Sequence, residues 1–299
     1  MSTLPDGAYP VMLTPFTDDG VVDVDGLDRF TDWLIDRGAA GLFPVALSGE
    51  MFELSEPERL DVARRVVQRA AGRVPVLASV VEFGDAEAVA AATARLAETG
   101  VDVVVLIASV LLAESDPESA LWDKIDAALA AAPEVSFGVY ECPLPYHRIL
   151  STAAVSQLAS TGRFTFFKET SHDIATMAER VAASDGTPLK VFNAGIESLV
   201  ESLEVGVSGL SGWIVNVYPE HVQWIVENGA TARARELQTA LDHVERSMGP
   251  TYPASAKELV EQRAGLGWGL GGRWQPRDVD AAAMSQLLAG ADAIAAGGR

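Results

Sequence analysis

Residues 164–170 read Phe164-Thr165-Phe166-Phe167-Lys168-Glu169-Thr170, an aromatic, β-forming run that ends on a lysine and an acid. The chain has only four lysines, Lys124, Lys168, Lys190 and Lys257, and otherwise takes its positive charge from arginine. An amine at the end of such a run loses hydration, which disfavours the ammonium form and lowers its pKa. A neutral amine can attack a carbonyl. The same position equally suits an ordinary lysine whose stem covers apolar surface, so the segments around it must decide.

Outward from this run the same design recurs. Apolar runs lie at Tyr9–Leu13, Gly41–Leu47, Val74–Val80, Val103–Ile107, Val135–Tyr140, Phe164–Phe167, Leu189–Phe192 and Val207–Ile214. Between them Val24–Arg37, Glu56–Ala70, Ala86–Glu98, Pro117–Ala131, Thr152–Ser160 and Ile174–Ala183 carry helical periodicity. Near-continuous apolar strands separated by helices imply a parallel sheet covered by helices, and eight such units predict closure into a (β/α)8 TIM barrel. The fold class is therefore α/β, with the barrel expected over residues 1–216. A C-terminal helical extension packed on it, residues 217–299, is expected to hold helices at Pro219–Asn228, Ala230–Met248, Ala254–Ala264 and Val279–Ala295.

A formal net charge of −20 and a pI near 4.5 argue against nucleic-acid or anionic-membrane surfaces, which need a basic footprint. A small anionic substrate would have to be met locally, by backbone N–H groups or a single cation. Cys142 is the sole cysteine, so no intramolecular disulfide forms. The N-terminus lacks a basic segment followed by an apolar run, and the longest apolar stretch, Val101–Ala113, is too short to span a bilayer. The expectation is a cytoplasmic protein. The letters G-x-G-x-x-G occur from Gly267 to Gly272, but between helices rather than between a strand and a helix, so a dinucleotide site is not expected. His147, His172, His221 and His243 are scattered without ligand spacing. Neither a metal nor a cofactor is expected.

In such a barrel the chemistry sits at the C-terminal ends of the strands. Three of these ends carry reactive groups: Leu47-Ser48-Gly49-Glu50, Tyr140-Glu141-Cys142-Pro143 and Lys168-Glu169-Thr170. An amine, a phenol and a hydroxyl at one mouth are the set that a Schiff-base lyase needs.

These motifs, with Thr14-Pro15-Phe16 and Asp19-Gly20 before them, Leu54-Ser55 and Glu58-Arg59 after the second strand, Ser171 and Asp173 after Thr170, and Gly206-x-x-Gly209 with Asn216 and Pro219, resemble the dihydrodipicolinate synthase/N-acetylneuraminate lyase family. The likeness runs from about residue 8 to beyond 220, and Lys257 also falls where that family often has a lysine. It implies a barrel lyase acting on a small-molecule 2-oxo acid, without a cofactor, assembled as a homo-oligomer, a dimer or a tetramer of tight dimers. By the same resemblance Lys168 forms the imine, Tyr140 relays protons, and Ser48 with the Gly49 amide holds the substrate carboxylate; Gly195 and Ser211 complete the expected substrate-binding set.

The departures from the family pattern bear on the reaction. Where the family commonly has Gly-Thr-Thr-Gly-Glu this chain has Ala46-Leu47-Ser48-Gly49-Glu50, and leucine cannot pass a proton. The segment Ile107–Leu112 holds no tyrosine to supply the relay's other phenol. Pro145 stands where the synthase has an arginine for the distal carboxylate. An aldolase or a dehydratase is therefore expected ahead of a true 4-hydroxy-tetrahydrodipicolinate synthase, which stays open as an alternative beside a catalytically degenerate 2-oxo-acid-binding or regulatory barrel. Tyr146, His147 and Arg148 either reshape the acceptor pocket or form an ordinary loop. Glu141 alternates away from Tyr140 and reads as half of a structural ion pair. Trp213 walls the substrate tail or packs beneath the C-terminal helices, and His172 is open between site and helix start.

Overall fold

Short polar side chains set where the helices begin. In the computed structural model, which describes residues 3–274 and 278–296, Asp23, Asp85, Ser151 and Asp173 each accept a bond from the backbone N–H three residues on, at 2.9, 3.0, 3.1 and 2.7 Å. Ser55 and Glu58 form a reciprocal capping box. The helices so started are α1 (Val24–Asp36), α2 (Glu56–Ala70), α3 (Ala86–Ala97), α6 (Thr152–Ser160) and α7 (Ile174–Ser184); α4 (Ala108–Leu111), α5 (Leu121–Ala131) and α8 (Leu199–Glu204) begin without a side-chain cap. They alternate with β1 (Gly7–Ala8), β2 (Leu42–Val45), β3 (Val76–Val80), β4 (Val103–Ile107), β5 (Ser136–Tyr140), β6 (Phe164–Glu169), β7 (Lys190–Asn193) and β8 (Gly209–Leu210).

All strand pairs are parallel, in the order β1-β8-β7-β6-β5-β4-β3-β2. A bridge between Val11 and Phe43 joins the first strand's continuation to β2, with Met12 N donating to Phe43 O at 2.9 Å and Phe43 N to Pro10 O at 3.1 Å. The ring of strands thus closes as the expected TIM barrel. Closure brings β1 and β8 so close that a Cβ on Gly209 would sit 2.0 Å from Gly7 O, and its φ of 153° is one that side chains rarely adopt. The barrel interior is aromatic below the mouth: the Phe166 ring lies 4.9 Å from Phe192, 5.9 Å from Phe43 and 6.0 Å from Tyr9.

Three expectations shift in detail. The first strand, expected over Tyr9–Leu13, lies at Gly7–Ala8, and its continuation reaches β2 only through the bridge at Val11. The last strand, expected to run to Ile214, ends at Leu210, because the chain turns into a 3-10 segment, Ile214–Asn216, that Asn216 Nδ2 ties to Val11 O at 2.8 Å. The helix α8 was not expected, since six residues are too few to show a helical period.

After the barrel come α9 (Pro219–Asn228), α10 (Ala232–Met248), α11 (Ala254–Ala264) and α12 (Ala281–Ala296). The glycine-rich loop after α11 is a structural strap. Glu50, buried and at φ 59°, accepts from Lys257 Nζ at 2.8 Å and from the N–H groups of Arg273 and Trp274 at 2.5 and 2.7 Å, while Lys257 also bonds Gly271 O. No helix among the described residues is long and apolar enough to cross a membrane.

Candidate active site

At the C-terminal ends of the strands lies a cavity of about 210 Å³, lined by Lys168, Tyr140, His147, His172, Trp213 and Glu245, and also by Leu47, Thr170 and Gly195. Tyr140 on β5 and Lys168 on β6 are register partners, so both side chains enter the barrel from adjacent strands. The Lys168 Nζ lies 4.4 Å from the centre of the Tyr140 ring.

Lys168 is buried, and that burial pulls its amine down to about 8, against the opposing fields of Cys142 and Glu245. Among the described residues no acid lies within ion-pair distance of its Nζ, whereas Lys190 pairs with Asp6 at 2.7 Å and Lys257 with Glu50 at 2.8 Å. The Tyr140 phenol is raised well above its ordinary value by burial and by the adjoining Cys142 thiol. It therefore stays protonated and available as a donor.

The expected carboxylate-binding groups are placed more deeply. Ser48, in the 3-10 turn after β2, and Ser211, just past β8, are both buried, and neither hydroxyl has a hydrogen-bond partner among the described residues. The Gly49 amide donates to Ala46 O at 3.0 Å, so the turn itself uses that donor; the residue must nonetheless be glycine, because a Cβ would come within 2.5 Å of Pro44 O. Gly195 lines the cavity, and the lack of a side chain there admits the Glu197 carboxylate, which a Cβ would meet at 2.3 Å.

The open residues now divide. Glu141 lies in a buried ion pair, 2.9 Å from Arg180, which also pairs with Glu169. Burial, with two carboxylates sharing one guanidinium, raises Glu141 to about 7, and its oxygens further accept from the N–H groups of Leu150 and Thr170. Arg148 is tied to the carbonyls of Glu114 and Asp116 at 3.4 and 3.0 Å, and Tyr146 to that of Leu112; neither lines the cavity. His147 does, with its Nε2 2.8 Å from Thr170 Oγ1. His172, at φ 57°, also faces the cavity and is held by Glu197 at 2.7 Å, which raises the imidazole's pKa. Trp213 takes both roles at once: it lines the cavity and stacks on Tyr252 with ring centres 4.3 Å apart.

Two site residues carried no signal in the sequence. Tyr252, before α11, is buried beside Ser48 and Asn216, yet its Oη has no hydrogen-bond partner among the described residues. Glu245, on α10, reaches the cavity with Oε2 accepting from Ile214 N at 2.9 Å. Both lie in the C-terminal helical segment, where an acid or tyrosine on a helix reads as surface or core.

Comparison with known proteins agrees with this fold. Residues 4–265 match the model of the dihydrodipicolinate synthetase family. A DapA-like lyase of Halobacterium salinarum is 30% identical over 263 residues, 86% of this chain and 84% of that protein. Among solved structures, dihydrodipicolinate synthase DapA-2 of Bacillus anthracis superposes with a TM-score of 0.86 at 22% identity, covering 98% of this chain and 99% of the other. YagE of E. coli K12, described as a prophage protein of the dihydrodipicolinic acid synthase family in complex with pyruvate, gives 0.85 at 21% identity, covering 97% and 98%. On the family match across most of its length, this chain belongs to the dihydrodipicolinate synthetase family.

Proposed function

We propose that this protein is a class I lyase that binds a 2-oxo acid as a Schiff base on Lys168. The observation that carries the reading is a buried lysine, without an ion pair among the described residues, held against the Tyr140 ring inside the cavity. Neutral Lys168 attacks the C2 carbonyl of the substrate, and Tyr140 donates the proton that lets the carbinolamine hydroxyl leave as water. The resulting iminium acts as an electron sink for bond breaking at C3 or C4, by aldol chemistry or by loss of a hydroxyl. The unpartnered hydroxyls of Ser48 and Ser211 are the groups assigned to the substrate carboxylate. The complex of YagE with pyruvate supports a 2-oxo acid as ligand.

The test is borohydride reduction in the presence of pyruvate and longer 2-oxo acids, followed by mass spectrometry of peptides. An irreversible adduct on Lys168 is expected. An adduct on Lys190 or Lys257 that persists in Lys168→Ala would overturn the assignment.

A further inference from the structure

We propose that Glu245, supplied by α10 of the C-terminal segment, is a catalytic acid of this site, giving a proton to the C4 hydroxyl of a 2-oxo acid bound on Lys168 and so expelling that hydroxyl as water. The inference rests on the Schiff-base reading and extends it to the reaction type.

The geometry gives Glu245 the means. It lines the same cavity as Lys168 and Tyr140. The Ile214 N–H, just past β8, fixes Oε2 at 2.9 Å, while Oε1 has no partner among the described residues. A carboxyl held by one oxygen and free at the other keeps its orientation and still has an atom to offer to a ligand.

The other protic groups around the cavity are committed. The His147 ring is bonded to Thr170 and the His172 ring to Glu197, and Tyr140 serves imine formation. Burial raises Glu245 to about 8, and the nearby Glu197 and Asp242 carboxylates push the same way; Lys168 opposes them. His172 and Arg246 also lie within its field. The acid form is thus available near neutral pH, as a proton donor requires.

The same walls describe the substrate. Among the described residues no guanidinium lines the cavity, and Arg148 is held by loop carbonyls. A second carboxylate on the tail would face the Glu197 carboxylate, with His172 already engaged by that acid. Leu47 and Trp213 offer apolar surface and Glu245 Oε1 offers a hydrogen bond, so the tail that fits is uncharged and hydroxylated.

The proton balance closes with groups already present. Tyr140, having protonated the departing carbinolamine hydroxyl, is left as a phenolate and takes a proton from C3, which gives the enamine. The enamine electrons expel the C4 oxygen as Glu245 protonates it; the C4–O bond breaks, water leaves, and a conjugated iminium forms. Hydrolysis of that iminium frees the unsaturated 2-oxo acid and the Lys168 amine, and the proton it releases returns to Glu245. No electrons are exchanged with an outside reagent.

The variant that tests this is Glu245→Gln, whose amide oxygen still accepts from Ile214 N–H but whose side chain is no acid. Three readouts separate the steps: the borohydride adduct with pyruvate, exchange of pyruvate C3 hydrogens in D2O, and conversion of 4-hydroxy-2-oxopentanoate to its conjugated dehydration product. The expected result is adduct and exchange within about threefold of the parent, with kcat for dehydration down roughly 10²–10⁴-fold. The fall in kcat of the parent as pH rises past about 8 should vanish in the variant. Equal dehydration rates in the two proteins overturn the proposal. So does a parent that exchanges pyruvate hydrogens but leaves the probe intact or cleaves it to pyruvate and acetaldehyde. Absence of both adduct and exchange in the parent overturns the Schiff-base reading itself.

Discussion

Tyr140 and Lys168 face each other as register partners across β5 and β6, which sets the amine 4.4 Å from the centre of the phenol ring. Two effects compete in that contact. The ring face attracts the ammonium, a gain of about 0.5–2 kcal/mol, whereas burial above the Phe43, Phe166 and Phe192 rings withdraws hydration from it. Burial is the larger, and the amine is held down at about 8.

The first prediction follows from that lowered value. The folded pKa of Lys168 lies below the unfolded one, so the protonated amine penalises folding fully below about pH 8, and the penalty fades as pH rises toward 10.5. Lys168→Met removes the charge and keeps the stem. At pH 7 it should raise stability by about 3 kcal/mol, at the scale of 1.36 kcal/mol per pKa unit, while abolishing adduct formation. Thermal melts at pH 7 and pH 10 check this, with the gain shrinking at the higher pH. In the parent, imine formation should speed up as pH rises through about 8.

Tyr140→Phe keeps the ring that packs on Phe43 at 6.2 Å and removes only the hydroxyl. Turnover should fall by roughly 10²–10⁴-fold with the fold intact, and the borohydride adduct on Lys168 should form more slowly but still form. Parental kcat would make Tyr140 a core residue.

Condensation of pyruvate with aspartate semialdehyde should be negligible. Leu47 lines the cavity where a proton-passing hydroxyl is needed, and among the described residues no arginine lines it to meet a distal carboxylate. A coupled assay of the purified protein checks this, and robust synthase turnover would show that another donor replaces both groups.

The buried cluster of Glu141, Glu169 and Arg180 should be the most fragile part of the wall behind the site. Arg180→Met leaves two carboxylates buried without their guanidinium, which should cost about 3–5 kcal/mol in denaturant titration. Glu141→Gln, which keeps hydrogen-bonding capacity, should cost less.

The sequence alone determined the repeating plan. Helices Glu56–Ala70, Thr152–Ser160, Pro219–Asn228 and Ala254–Ala264 fall where periodicity puts them, because caps, prolines and amphipathic spacing act within a few residues. It also put Lys168 and Tyr140 at strand ends, the place where a barrel carries its chemistry, and both line the cavity; period-two alternation turned Glu141 away from it.

What only the tertiary structure decided is which side chains from distant segments share one space. Of the adjacent residues His147 and Arg148, only His147 reaches the cavity, because the loop carbonyls of Glu114 and Asp116 capture the arginine. Glu245 and Tyr252 arrive at the site from the segment after the barrel, and in one dimension a cavity acid looks the same as a solvated helix acid. Their hydration, and with it their acidity, is fixed by neighbours from β6, the turn after β7, β8 and the turn after β2. Local propensity acts over a few residues, whereas desolvation and charge act through space, and so the chemistry of these groups exists only once the chain has folded.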